Sequence, residues 1–118
     1  MKKSKIRKPW GYFQVLDNKK VYKVKKIFVK PAGKLSLQSH KYRSENWVVI
    51  EGIAKVVLEK KIYNLKKGQS IYIPPRKKHR IENNTKKNLV IIEVQLGSYL
   101  GEDDITRYKD LYNRKTVS

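Results

Sequence analysis

Cysteine is absent from these 118 residues, and histidine is nearly so, at two. The first absence excludes a disulfide framework, thiolate metal sites and cysteine nucleophiles, and it suits a reducing compartment. No apolar run reaches the roughly eighteen residues of a membrane span. The basic start, Met1-Lys2-Lys3-Ser4-Lys5, is not followed by the apolar stretch of a secretory signal. The expected location is therefore cytoplasmic, with no membrane partner. Acidic residues are scarce as well, 10 against 29 Lys and Arg, which leaves a formal charge of +19. At this length the chain is one domain with room for a core of its own.

Such a charge invites a nucleic-acid reading. The cations, however, run along the whole sequence, in doublets such as Lys25-Lys26, Lys60-Lys61, Lys66-Lys67 and Lys86-Lys87. They are lysine far more than arginine, 23 to 6, whereas base and phosphate readout favours arginine forks. A lysine-rich solvated surface is the expectation, with a field that draws in small anions. No dedicated nucleic-acid partner is expected.

Residues 1–8 lack apolar periodicity and are expected to form a flexible basic arm, leaving 9–118 as the domain. From there, turn signals recur every eight to twelve residues between short apolar runs. Strands are expected at 14–16, 21–30, 35–40, 45–51, 53–59, 62–65, 70–73, 79–82 and 89–95. The second half of 21–30 is continuously apolar at Ile27-Phe28-Val29 and is expected to be buried on both faces. Asp17-Asn18, Pro31-Ala32-Gly33, Gly52, Lys66-Lys67-Gly68, Pro74-Pro75 and Asn83-Asn84 punctuate the series. That rhythm indicates an all-β antiparallel sandwich or small barrel. Only Glu102 to Tyr112, with acids first and Lys109 late, is expected to be a short C-terminal helix.

The chemistry-bearing residues gather in one stretch. Gln38 and His40 fall on one face of a strand, and Glu45 follows four residues after His40. With His79 from a distant strand, an amide oxygen, two imidazoles and a carboxylate make up a divalent-metal donor set. Glu93 and Gln95 share a strand face with Leu89 and Ile91. If that face is interior, Glu93 is either catalytic or a hydrogen-bonded structural glutamate. Arg43 is the candidate contact for a phosphate. Arg80 should point away from His79 to the surface, and Trp47 and Tyr72 line a pocket or simply pack.

The spacings resemble the two motifs of the cupins. Gln38-x-His40, four residues, Glu45, six residues and Gly52 fit the first motif, with Gln for its first His and a gap from Gly33 one residue short. Gly68, five residues, Pro74-Pro75-Arg76, two residues, His79, three residues and Asn83 fit the second, with Arg for its glycine. Beyond this, Lys8-Pro9-Trp10-Gly11, Leu35-Ser36-Leu37-Gln38, Arg43-x-Glu45-x-Trp47, Tyr72-Ile73-Pro74, Ile92-Glu93-Val94-Gln95 and Gly97 to Ile105 resemble the C-terminal isomerase domain of type II phosphomannose isomerases. That module is often fused to a mannose-1-phosphate guanylyltransferase.

The resemblance implies a cupin, a small double-stranded β-helix or jelly-roll barrel. It also implies a divalent metal on Gln38, His40, Glu45 and His79, zinc foremost, with manganese, iron or nickel also compatible. Glu93 and Arg43 are the candidate catalytic residues. The expected function is a free-standing metal-dependent isomerase interconverting mannose 6-phosphate and fructose 6-phosphate. The alternatives are a cupin epimerase or ketoisomerase on a nucleotide-linked sugar, or a non-catalytic sugar-binding cupin. The expected partners are a phosphorylated sugar, a second copy of the chain and a separate guanylyltransferase. Lys41, Tyr42 and Asn46 stand where the family usually has histidines, which bears on substrate choice and rate.

Overall fold

The computed structural model describes residues 4–109. Among the described residues eleven strands, all antiparallel, make two sheets: β1 (Ile6–Lys8), β2 (Gly11–Asn18), β3 (Tyr22–Val29), β4 (Leu37–Ser39), β5 (Arg43–Glu51), β6 (Ala54–Leu58), β7 (Lys61–Leu65), β8 (Ser70–Ile73), β9 (His79–Glu82), β10 (Leu89–Gly97) and β11 (Thr106–Lys109). One sheet has the order β1-β2-β3-β10-β5-β8 and the other β11-β4-β9-β6-β7. The all-β expectation holds. Residues 6–8, assigned to the basic arm by the sequence, pair with β2 through Ile6–Phe13, Arg7–Tyr12 and Lys8–Gly11.

The two sheets share a core of Trp10, Ile27, Val29, Trp47, Val49, Val56, Ile73, Ile81, Leu89 and Ile91. Each buried aliphatic side chain contributes about 1.5–3 kcal/mol relative to exposure. β3 alternates strictly along its whole length, so Phe28 is not buried on the second face as expected. It lies outside, stacked on Tyr12 with ring centres 4.9 Å apart.

The inward faces of the three central strands change character along their length. β3 runs Lys23, Lys25, Ile27, Val29; β10 runs Leu89, Ile91, Glu93, Gln95; β5 runs Arg43, Glu45, Trp47, Val49. Because neighbours are antiparallel, the registers bring like ends together. Lys25 lies opposite Glu93, which lies opposite Trp47; Lys23 lies opposite Gln95, which lies opposite Glu45. The barrel is thus dry at one end and polar at the other.

The expected C-terminal helix over 102–112 is not formed. Residues 102–103 are a turn and 106–109 are β11, paired with β4; residues 110–112 lie outside the described residues. The cause is local. The Asp104 carboxylate accepts the backbone N–H groups of Lys41 and Tyr42 at 2.8 and 2.9 Å, so the segment is tied to the start of β5 instead of bonding to itself. The open edge of β4 then offers a ladder that a helix would forgo.

Candidate metal centre

β4, β5 and β9 deliver the candidate ligands to the polar end. Gln38 on β4 is paired with His79, the first residue of β9. His40 follows β4, and Glu45 projects from β5. His40, Glu45 and His79 are all buried, and one ligand atom from each lies within 4.8 Å of the others. Glu45 is the hinge of this group: its Oε2 is 3.2 Å from His40 Nε2 and its Oε1 is 3.7 Å from His79 Nε2.

Both imidazoles are set up as neutral ligands. His40 Nδ1 donates to the Asp104 carbonyl at 2.7 Å, and His79 Nδ1 donates to the Lys77 carbonyl at 2.9 Å. With Nδ1 carrying the hydrogen, the lone pair is on Nε2, the atom that faces Glu45. Burial, assisted by the charge of Arg43 and by His79, lowers the His40 pKa to about 3. Burial foremost lowers that of His79 to about 4. The Trp47 ring packs edge-on against His79, centres 5.5 Å apart, and limits its rotation. Gln38 lines the same cavity and anchors its amide Nε2 on the Ser36 carbonyl and hydroxyl at 3.3 and 3.2 Å.

Arg43, the expected phosphate contact, directs Nε and Nη2 at Glu45 Oε2, at 2.8 and 2.7 Å. Glu93 is inward-facing and buried. Its Oε1 accepts from Gln95 Nε2 at 2.7 Å and its Oε2 from Trp47 Nε1 at 2.9 Å; Trp47 Nε1 also reaches Glu45 Oε1 at 3.1 Å. Burial first, then the neighbouring Glu45 carboxylate, push the Glu93 pKa up to about 7, against the opposing charges of Lys25 and Arg43.

These groups surround a cavity of about 170 Å³. Tyr72 is not part of it: opposite Asn46 on β8, it is 52% exposed on the outside of the sheet. Arg80, expected at the surface, is half-buried, touches the cavity and bonds Glu82 at 2.9 Å. Residues that the sequence did not single out also line it, among them Lys25, Glu102 and Arg107. Lys25 was expected on a solvent face. No motif marks these three; the available signal, for Lys25 alone, was the two-residue period that puts it on the face of Ile27 and Val29.

Comparison with known proteins bears on this site. A family model described as mannose-6-phosphate isomerase C-terminal matches residues 1–110. The alginate biosynthesis protein AlgA of Pseudomonas fluorescens is 47% identical over 111 residues, 94% of this chain and 23% of that protein. A mannose-1-phosphate guanylyltransferase of Salmonella montevideo is 42% identical over 109 residues, again 23% of its length. Among solved structures, a conserved protein with a double-stranded β-helix domain from Klebsiella pneumoniae superposes with a TM-score of 0.73 at 18% identity, over 90% of this chain and 85% of that one. The fold is thus the cupin barrel.

The same relatives overturn the expected function of a free-standing isomerase interconverting mannose 6-phosphate and fructose 6-phosphate. The chain spans under a quarter of the length of these curated relatives, which are named for polysaccharide biosynthesis and guanylyl transfer. What the chain matches is one domain of larger enzymes.

Proposed function

The chain belongs to the mannose-6-phosphate isomerase C-terminal family, and from that premise we propose that its cavity binds a divalent metal and a phosphorylated sugar, and exchanges a proton with the sugar. The observation that carries this reading is the convergence of two neutral imidazole Nε2 atoms on Glu45, beside a second buried carboxyl, Glu93, that titrates near neutrality.

His40, His79 and Glu45 would hold the metal, with the Gln38 amide oxygen as a fourth donor. Two nitrogens and two oxygens suit zinc, and also admit manganese, iron or nickel. A bound cation would draw electron density from a carbonyl or hydroxyl oxygen of the sugar. Glu93 is the proton-exchanging group. Its two hydrogen-bond donors favour the carboxylate while burial and Glu45 favour the acid, and a pKa near the working pH serves both directions of transfer. Arg43, held on the Glu45 oxygen that faces His40, occupies the place of a cation there and would yield that oxygen to a bound metal. A guanylyltransferase is the proposed working partner, in keeping with the name of one relative. Pairing between copies through the open edges of β1 or β8 would give a homodimer.

The test has two parts. Calorimetric titration should show one metal per chain, lost in His79→Ala. Phosphorylated hexoses incubated with the metal-loaded protein in deuterated water should acquire carbon-bound deuterium in at least one case. Glu93→Gln should stop that exchange while still binding metal. Equal metal binding by His79→Ala, or no deuterium in any phosphorylated hexose, would refute the proposal.

A further inference from the structure

Lys23 and Lys25 stand on the inward face of β3, with side chains only 8% and 7% exposed. An ammonium group so placed has lost most of its hydration and depends on an anion close by. Both lysines find the same one. Lys25 Nζ lies 2.9 and 2.8 Å from the two oxygens of Glu102, and Lys23 Nζ lies 3.2 Å from Oε2. Lys23 also donates to the Leu100 carbonyl at 2.8 Å.

The anion itself is differently built. Glu102 comes from the loop between β10 and β11, not from the barrel wall, and its side chain is 54% exposed. Two buried, strand-held cations therefore hold a carboxylate that needs only a rotation to return to water. A carboxylate that is already half solvated has little hydration to regain and a screened attraction to lose. A phosphate in its place would bring more negative charge and three or more acceptor oxygens to the same two donors.

The surroundings suit that exchange. Lys25 and Glu102 both line the cavity that contains the candidate ligands. From the opposite sheet Arg107 lines it as well, and its buried Nε has no acceptor. Lys25 lies directly across from Glu93, on the strand next to the one that carries the proposed proton-exchanging group. Arg43, by contrast, already directs two nitrogens at Glu45.

We propose that Lys23, Lys25 and Arg107 form the phosphate subsite of the cavity, and that Glu102 is an internal anion which an incoming phosphate displaces. This rests on the sugar-phosphate reading above and narrows it: the phosphate end of the ligand lies towards β3 and β11, and its reacting carbons towards β5 and β10. Glu102 then acts as a built-in competitor that keeps the site closed to weak anions.

The experiment uses inorganic phosphate and metal-stripped protein, so that it does not depend on the metal. Binding is followed by phosphorus NMR and calorimetry at fixed ionic strength. Glu102→Gln, which keeps the side-chain shape, should tighten phosphate binding at least tenfold. Lys25→Met should weaken it at least tenfold, and Arg107→Gln should weaken it as well. Lys60→Ser with Lys61→Ser, two exposed positions at the β6–β7 turn and the first residue of β7, controls for general attraction to a basic surface and should change nothing. Binding to Glu102→Gln alone, with none detectable in the unaltered protein, would also support the proposal. Phosphate affinity that is unchanged or lower in Glu102→Gln would overturn it, and this variant decides the matter even if Lys25→Met fails to fold. A protein that binds metal and exchanges deuterium, yet shows no effect of Glu102→Gln, loses the subsite alone. One that binds phosphate as described but takes up no metal loses the earlier reading and keeps the subsite.

Discussion

Arg43 Nη2 lies 3.2 Å from His40 Nε2 while the same guanidinium grips Glu45. A positive group thus sits against two of the atoms that would hold a metal. In the metal-free protein it is the cation of the site: it satisfies the imidazole lone pair and neutralises a carboxylate that is 2% exposed.

Arg43→Met should separate these roles. Removing one member of a buried ion pair typically costs 3–5 kcal/mol, so the metal-free variant should melt well below the unaltered protein. Divalent metal, relieved of a like charge nearby, should bind at least tenfold tighter and restore much of the lost stability. Urea unfolding with and without zinc, plus a metal titration, reads both. A fall in metal affinity would mean that the guanidinium assembles the site instead of competing for it.

The pH dependence of the metal-free fold follows from three groups. His40 and His79 have folded pKa values of about 3 and 4, below the unfolded value near 6.5. Their stabilising effect is complete above pH 6.5 and is lost as pH falls towards those values. Glu93 works in the opposite sense: raised to about 7, it stabilises at low pH and loses that contribution as pH rises through 7. Between pH 6 and 4.5 the unfolded chain carries up to about two protons on the two histidines, while the folded chain holds one on Glu93. The unfolded chain thus holds an excess of about one proton, so stability should fall on acidification by about 1.4 kcal/mol per pH unit from these three groups. Urea melts across that range check the slope, and His79→Ala should flatten it.

Arg76 occupies the position at which the second cupin motif has glycine, and it keeps a glycine-like backbone, φ +69°. Its N–H donates to the His40 carbonyl at 2.7 Å, so the turn helps to seat a candidate ligand. A left-handed conformation costs a side-chain-bearing residue about 1–2 kcal/mol, part of which glycine returns as unfolded-state entropy. Arg76→Gly should stabilise the fold by up to about 1 kcal/mol, read as a higher urea midpoint with metal affinity unchanged.

Gly97 is constrained by proximity. A Cβ there would lie 2.2 Å from the Tyr42 carbonyl oxygen and 2.9 Å from the Arg43 Cα. Gly97→Ala should therefore push the start of β5 away from β10. The expected cost is about 1–3 kcal/mol, with weaker metal binding because Glu45 moves with its strand.

Most of the strand positions, and the gathering of Gln38, His40, Glu45 and His79 at one cavity, were legible from alternation and from spacings that survive sequence drift. The polar interior was not. Along 22–25 one face offers Tyr22 and Val24 and the other Lys23 and Lys25, and hydrophobicity alone places the lysines outside. They face inward because β3 must keep Ile27 and Val29 in the core, and the two-residue period then carries Lys25 and Lys23 to the same side. The helix expected after residue 101 failed for a related reason. Its acids suited a helix start, but Asp104 and Glu102 are engaged by Lys41, Tyr42, Lys23 and Lys25, partners more than sixty residues away. Such a commitment has no local signature.

The division of the inward faces into a dry half and a polar half gives the cavity a depth scale. Trp47 marks the boundary: its ring belongs to the core, while its N–H serves Glu93 and Glu45. A ligand entering from the polar end meets exchangeable side chains first and a close-packed floor last. Substitutions among the lysines, arginines and acids can redefine what is bound with little demand on the core, whereas a change in ligand length must be absorbed at Trp47. For the proposed ligand, chemical selectivity would be set at the walls of this barrel and size selectivity at the floor.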